Sequence, residues 1–185
     1  MIKLDGVSKI YTTESVGVRN ISLHIDAGEF VSIVGQSGTG KTTLVRLLIA
    51  EEKPTKGKIT IGDWDITQIA SGEIPYLRRQ IGVIFQDFKL LPKKTVYENV
   101  AFALEVAGEK SHRIDTIVPQ VLDIVGLGSK MERYPHQLSG GEQQRVAIAR
   151  SLVHRPKIII ADEPTGNLDS INTIEIIEIL KKINE

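Results

Sequence analysis

The stretch FVSIVGQSGTGKTTL, residues 30–44, decides how this sequence is read. Residues 30–34 form an apolar run broken by Ser32, the pattern of a strand buried on both faces of a parallel sheet. The glycines that follow predict a loop over residues 35–40. Residues 41–50 contain no helix breaker and set Leu44, Leu47 and Leu48 at helical spacing, so a helix is expected to leave the loop directly. Gly35, Gly40, Lys41 and Thr42 then fall at the spacing of a phosphate-binding loop, in the strand, loop and helix context it requires. Glycines let successive backbone N–H groups turn inward, and the helix N-terminus adds about half a positive charge. Lys41 would reach terminal phosphates and Thr42 would offer its hydroxyl to Mg²⁺. The competing use of the pattern is a ligand-free strand-to-helix turn.

Composition narrows the function classes. The 185 residues carry 23 Lys and Arg against 23 Asp and Glu, so a sequence-blind binder of phosphate backbone is not expected, and no nucleic-acid partner is assigned. With 41% apolar residues the chain can bury a core of ordinary size. Cysteine is absent, which excludes disulfides, thiolate nucleophiles and cysteine zinc sites and suits a reducing cytosol. His24, His112, His136 and His154 show no metal-ligand spacing. No apolar stretch approaches the roughly 18 residues of a membrane-spanning helix, and the start lacks a signal pattern, so direct membrane insertion is not expected.

Outward from the loop, Ile2 and Leu4, then Ile21, Leu23 and Ile25, alternate as strands do. Residues 57–62 read as a hairpin strand, and residues 81–85 and 158–161 as buried strands. Between them the apolar period becomes helical over 96–107, 114–125 and 140–154, with Gly108 and Gly126 as stops: a helical insert. A last helix is predicted to place Ile171, Ile174, Ile177, Leu180 and Ile183 on one apolar stripe, with Glu178 and Lys182 paired outside it.

Two further motifs carry chemistry. IIIADE, residues 158–163, delivers adjacent carboxylates at a strand end: Asp162 to hold Mg²⁺ and Glu163, on the other side of the alternation, to take a proton from attacking water. A solvated acidic pair at a strand exit is the plainer alternative. In LSGGEQQR, residues 138–145, Ser139 and Glu142 have capping-box spacing. Capping does not require Gly140 and Gly141, whose open backbone suits an anion docking from outside, one held by another subunit included.

These motifs together, with IIIADEPTGNLD over 158–169, resemble the nucleotide-binding domain of ATP-binding cassette (ABC) ATPases, across essentially the whole chain. IPYLRRQIGVIFQD (74–87), LLP (90–92) and TVYENV (95–100) are most similar to the cell-division branch; lipoprotein-releasing or macrolide-export motors, and a nucleotide-responsive scaffold with little turnover, are the alternatives. The resemblance implies an α/β P-loop NTPase fold: a RecA-like parallel sheet core, an N-terminal antiparallel β subdomain and an inserted helical subdomain. Residues 1–185 would form one domain, with the β subdomain and core at about 1–87 and 157–185 and the helical subdomain at about 88–156.

The resemblance also implies roles. ATP and Mg²⁺ would be the cofactors. Gly35, Gln36, Ser37, Gly38, Thr39, Gly40, Lys41, Thr42 and Thr43 would hold nucleotide, with Tyr11 stacking on adenine unless it packs the β subdomain edge. Gln86 would touch Mg²⁺ and water beside Thr42 and Asp162, unless it is an ordinary loop amide. Catalysis would rest on Glu163, Gln86 and Lys41. Two copies would sandwich ATP, so that Ser139, Gly140 and Gly141 of one meet the γ-phosphate held by the other. Asp169 would lie at that seam while capping the last helix. A permease-like integral membrane protein would be the partner, holding the chain at the inner face of the cell membrane, and Phe88, Leu90 and Leu91 would either line its docking groove or pack beneath the insert. The family also has a γ-phosphate histidine on a strand after the last helix, and neither His136 nor His154 stands where it would. The expectation is therefore of a fragment, or a chain completed by another segment, with turnover impaired.

Overall fold

Alternation at the start of the sequence gives β1 (Ile2–Ile10) of the computed structural model, which describes residues 1–12 and 15–185. β1 pairs antiparallel with β2 (Val16–Ile25), Leu4 opposite Leu23, and with β3 (Lys56–Ile61), Leu4 opposite Ile59. Its register slips against both neighbours in the stretch after Leu4. The slip is a bulge, and it lets Val7 join Ile2 and Leu4 in burial although strict alternation would send it to the other face. β4 (Trp64–Asp65) closes the sheet in the order β2-β1-β3-β4. The helix α1 (Lys41–Leu48) packs on β2 with Leu44, Leu47 and Leu48 buried. Residues 1–78 and 184–185 make up this first compact unit.

The second unit, residues 79–183, follows α2 (Ile74–Arg79). Its two strands β5 (Ile81–Phe85) and β6 (Ile158–Asp162) run parallel, with Ile81 opposite Ile158 and Phe85 opposite Asp162. The helices α3 (Val96–Val106), α4 (Ser111–Ile124) and α5 (Gly140–Leu152) share a core of Val100, Leu104, Val118, Leu122, Val146 and Ile148 with Ile84 of β5. The amphipathic periods set these helices, and α3 and α4 stop before Gly108 and Gly126 as expected. Thr95 and Glu98 close a capping box at the start of α3. Asn99 is fully buried, and its amide donates to the carbonyls of Leu91, Lys94 and Thr95 and accepts from Leu91 N–H at 2.7 Å. One side chain thus satisfies the backbone of the connection that follows β5.

Several expectations are corrected. Residues 30–34 belong to no strand: Phe30 is 50% exposed and Val34 88%. An apolar run states what its side chains favour, but a strand also needs a neighbour to complete its ladder, and none pairs with this run among the described residues. β6 is buried only at Ile160. In α6 (Ser170–Asn184) the buried residues are Ile176 and Leu180, with Ile179 and Ile183 against the core, whereas Ile171 and Ile174 are 73% and 60% exposed. The helix is apolar on two adjacent faces, so period alone could not select the one that packs. Glu178 and Lys182 form no ion pair among the described residues.

Candidate functional site

In the first unit, residues 35–40 curl ahead of α1 with Gly38 and Gly40 at positive φ, 80° and 97°. Gly40 caps the helix without a side-chain hydrogen bond. A Cβ there would fall 2.1 Å from the Gly17 carbonyl oxygen, so only glycine fits. Lys41 Nζ donates to the carbonyls of Gly35 and Gln36 at 2.9 and 3.1 Å, and Thr39 Oγ1 donates to Gln36 O at 2.8 Å. The loop is thereby closed on itself, with Ser37 and Thr42 exposed. Tyr11 is exposed beside it; its hydroxyl donates to Glu52 Oε1 at 2.9 Å and lies 3.4 Å from Thr43 Oγ1. Lys9 Nζ stands 5.3 Å from the Tyr11 ring centroid and 3.3 Å from Glu52 Oε2. Burial tends to raise the Glu52 carboxyl, but the bonds from Tyr11, Lys9 and Arg46 outweigh it and hold the group below its ordinary value.

In the second unit the parallel register puts Asp162 opposite Phe85, so Gln86 and Glu163 leave the carboxyl ends of adjacent strands side by side. That edge is where ligands bind in open α/β sheets. Gln86 Nε2 donates to Asn167 Oδ1 at 3.4 Å, and Asn167 Nδ2 returns a bond to Gln86 O at 3.1 Å. Glu163 is exposed and adopts a positive φ of 49°.

Ser139 caps α5: its Oγ accepts from Glu142 N–H at 3.3 Å, and Glu142 Oε2 accepts from Ser139 N–H at 2.8 Å. Lys130 pairs with Glu142, and with the Ser139 N–H it draws the carboxyl down to about 2. Ser139 and Gly140 are exposed at this helix end, but Gly141 is buried. A Cβ on Gly141 would fall 1.8 Å from Asn172 Oδ1. A methyl there would have to push the Asn172 side chain aside, a reason for glycine separate from backbone openness. Asn172 in turn donates Nδ2 to Asp169 Oδ2 at 2.6 Å, while Asp169 Oδ1 accepts from the N–H groups of Ile171 and Asn172. These bonds hold the Asp169 carboxyl below its ordinary value, the Asn172 N–H first among them.

Asn172 and Arg150 carried no signal in the sequence, and Asn167, although inside the 158–169 motif, carried none for this contact. Arg150 lies in a groove with Ile81, Val83, Phe85, Lys89 and His154, and donates to the carbonyls of Phe88 and Lys89 at 2.8 and 2.6 Å. Of the residues expected at a docking groove, Leu90 packs against the core instead. Burial lowers the affinity of His154 for a proton, with Arg79 adding to the effect. His136 stacks on Tyr134.

The ABC transporter family model matches residues 18–166. The chain is 54% identical over 184 residues to the cell division ATP-binding protein FtsE of Bacillus subtilis, covering all of this chain and 81% of that one. FtsE of Mycobacterium tuberculosis is 50% identical over 185 residues, with 80% of it covered. Among solved structures, the dimeric post-hydrolysis state of the ATP-binding cassette MJ0796 bound to ADP and Pi aligns with a TM-score of 0.89 at 38% identity, over 100% of this chain and 83% of that one.

Proposed function

This chain belongs to the ABC transporter family, and from that premise we propose that it is the ATP-binding and ATP-hydrolysing subunit of a membrane complex serving cell division. The observation that carries the catalytic part is the Phe85–Asp162 register, which sets an amide, a metal-type carboxylate and a second carboxylate along one strand-end edge. Among the described residues no helix is long and apolar enough to cross a membrane. The proposed attachment is through an FtsX-like integral partner, a reading that rests on the likeness to FtsE. That partner holds the chain at the inner face of the cell membrane.

The loop at residues 35–43 binds the phosphates of ATP, Lys41 exchanging its carbonyl contacts for terminal phosphate oxygens. Tyr11 stacks on the adenine. The residues that would hold Mg²⁺ are Thr42 through its hydroxyl, Asp162 through its carboxylate and Gln86 through its amide oxygen, since the lone pair of an amide nitrogen is delocalised into its carbonyl. These are hard oxygen ligands, and Mg²⁺ needs only one or two carboxylates alongside phosphates and water. When bound, the ion neutralises charge on the β- and γ-phosphates. Glu163 takes a proton from a water attacking the γ-phosphorus in line; the bond to the bridging oxygen breaks, and ADP and phosphate leave. Two copies close over two ATP molecules, Ser139, Gly140 and Gly141 of each meeting the γ-phosphate bound by the other, as the dimeric state of MJ0796 supports.

Glu163→Gln should cut turnover by at least about 10²-fold while sparing nucleotide binding, and Lys41→Ala should weaken binding itself. Because the chain has no cysteine, Ser37→Cys with Ser139→Cys in the Glu163→Gln background makes a clean crosslinking pair. ATP should raise the yield of crosslinked dimer. Turnover unchanged by Glu163→Gln would end the catalytic assignment, and a yield indifferent to ATP would end the sandwich.

A further inference from the structure

Glu163 holds a left-handed backbone conformation although it carries a side chain and precedes a proline. Such a conformation persists only where the surroundings over-determine it. Pro164 contributes no backbone donor to the turn and disfavours helical backbone in the residue before it. Gly166 N–H donates to Glu163 O at 3.1 Å, a bond too local to explain the conformation on its own. A long-range contact to the same turn comes from α5: Gln144 Nε2 donates to the Pro164 carbonyl at 2.6 Å.

Gln144 is wholly buried, and its Oε1, also buried, accepts no hydrogen bond among the described residues. An apolar side chain of the same size would remove this unmet acceptor, at the cost of the donor that reaches the Pro164 carbonyl. The helix position is a core one, in phase with buried Gly141 and Ile148. A half-satisfied amide is therefore kept where packing alone would favour a hydrocarbon, and its one bond falls on the residue next to the candidate general base.

We propose that Gln144 is a positioning residue for ATP hydrolysis: its amide holds the Pro164 carbonyl and so keeps Glu163 in the turn from which it addresses the attacking water. This rests on the reading of Glu163 as general base. Gln144→Met keeps length and burial but removes the donor; Gln144→Glu keeps the shape and turns oxygens towards the carbonyl. Both are measured for melting temperature, for kcat and KM with Mg·ATP, and for amide hydrogen exchange. In Gln144→Met the fold should be retained, kcat should fall by at least about tenfold, and KM should stay within about threefold. Exchange at Gly166 and Leu168 should quicken by about tenfold or more, with Ile148 in α5 unchanged. Gln144→Glu should do the same. Unaltered exchange at Gly166 in Gln144→Met, or a kcat within about twofold of the parent, overturns the inference. If the parent shows no ATP turnover, as an impaired chain would, exchange at Gly166 alone decides whether Gln144 sets the turn.

Discussion

Gly141→Ala separates two reasons for the same glycine. If the residue is small so that an anion can approach the helix end, the added methyl harms turnover and barely touches stability. The structure gives another reason: the new Cβ would stand 1.8 Å from Asn172 Oδ1 and 2.5 Å from its Cγ. Contact at van der Waals distance requires a shift of well over an ångström, which the Asn172 side chain can make only by leaving its bond to Asp169. Overpacking of this kind costs about 1–3 kcal/mol, and the gain from replacing glycine by alanine in a helix returns at most about 1 kcal/mol. The net expectation is a loss of up to about 2 kcal/mol, read as a lowered midpoint in urea unfolding. In an Asn172→Gly background the obstructing side chain is gone, and Gly141→Ala should become neutral or slightly stabilising. An equal penalty in both backgrounds would refute the packing argument; ATPase activity measured on the double variant then shows whether openness matters separately.

Three other perturbations follow from the same geometry. Gly40→Ala meets the Gly17 carbonyl, backbone that cannot swing aside, and forces a left-handed alanine, so urea unfolding should show a loss of about 2–4 kcal/mol. Asn99→Leu removes four hydrogen bonds from a buried site and leaves the Leu91 N–H and C=O without their partner; about 2–4 kcal/mol should be lost, with faster amide exchange at Leu91. Glu142 is one of the acid-sensitive groups. Its carboxyl is drawn from 4.5 to about 2, so its stabilisation is complete above about pH 4.5 and disappears as pH falls towards 2. Because Lys130 is 43% exposed and solvent screens the pair, the effect is about 1–2 kcal/mol. The Ser139 N–H bond survives in Lys130→Met, so between pH 5 and about pH 2.5 the parent should lose more stability than that variant by part of this amount in urea titrations; identical pH profiles would refute it.

What could be read before any coordinates were those features whose cause lies within a few residues. The spacing of Gly35, Gly40, Lys41 and Thr42, the capping box of Ser139 and Glu142, and the helix stops at Gly108 and Gly126 are local chemistry, and each appears in the structure where the chain predicts it. The strand at residues 81–85 was legible as an apolar run, and it forms because β6 completes its ladder. The apolar run at residues 30–34 was legible only as a preference, since a strand's existence depends on a neighbour its own residues do not specify.

Tertiary structure decided the rest because it depends on which distant groups meet. Two apolar faces on α6 offered two ways to pack, and the core took Ile176, Leu180 and Ile183 over Ile171 and Ile174. Gly141 is small because Asn172 lies against it, thirty-one positions on, and Gln144 is polar where a core residue belongs because the Pro164 carbonyl lies 2.6 Å away. Local chemistry chose the kinds of residue from which a nucleotide site can be made. Packing chose where the backbone of each would point, because side-chain preferences carry no information about partners that the fold alone brings within reach.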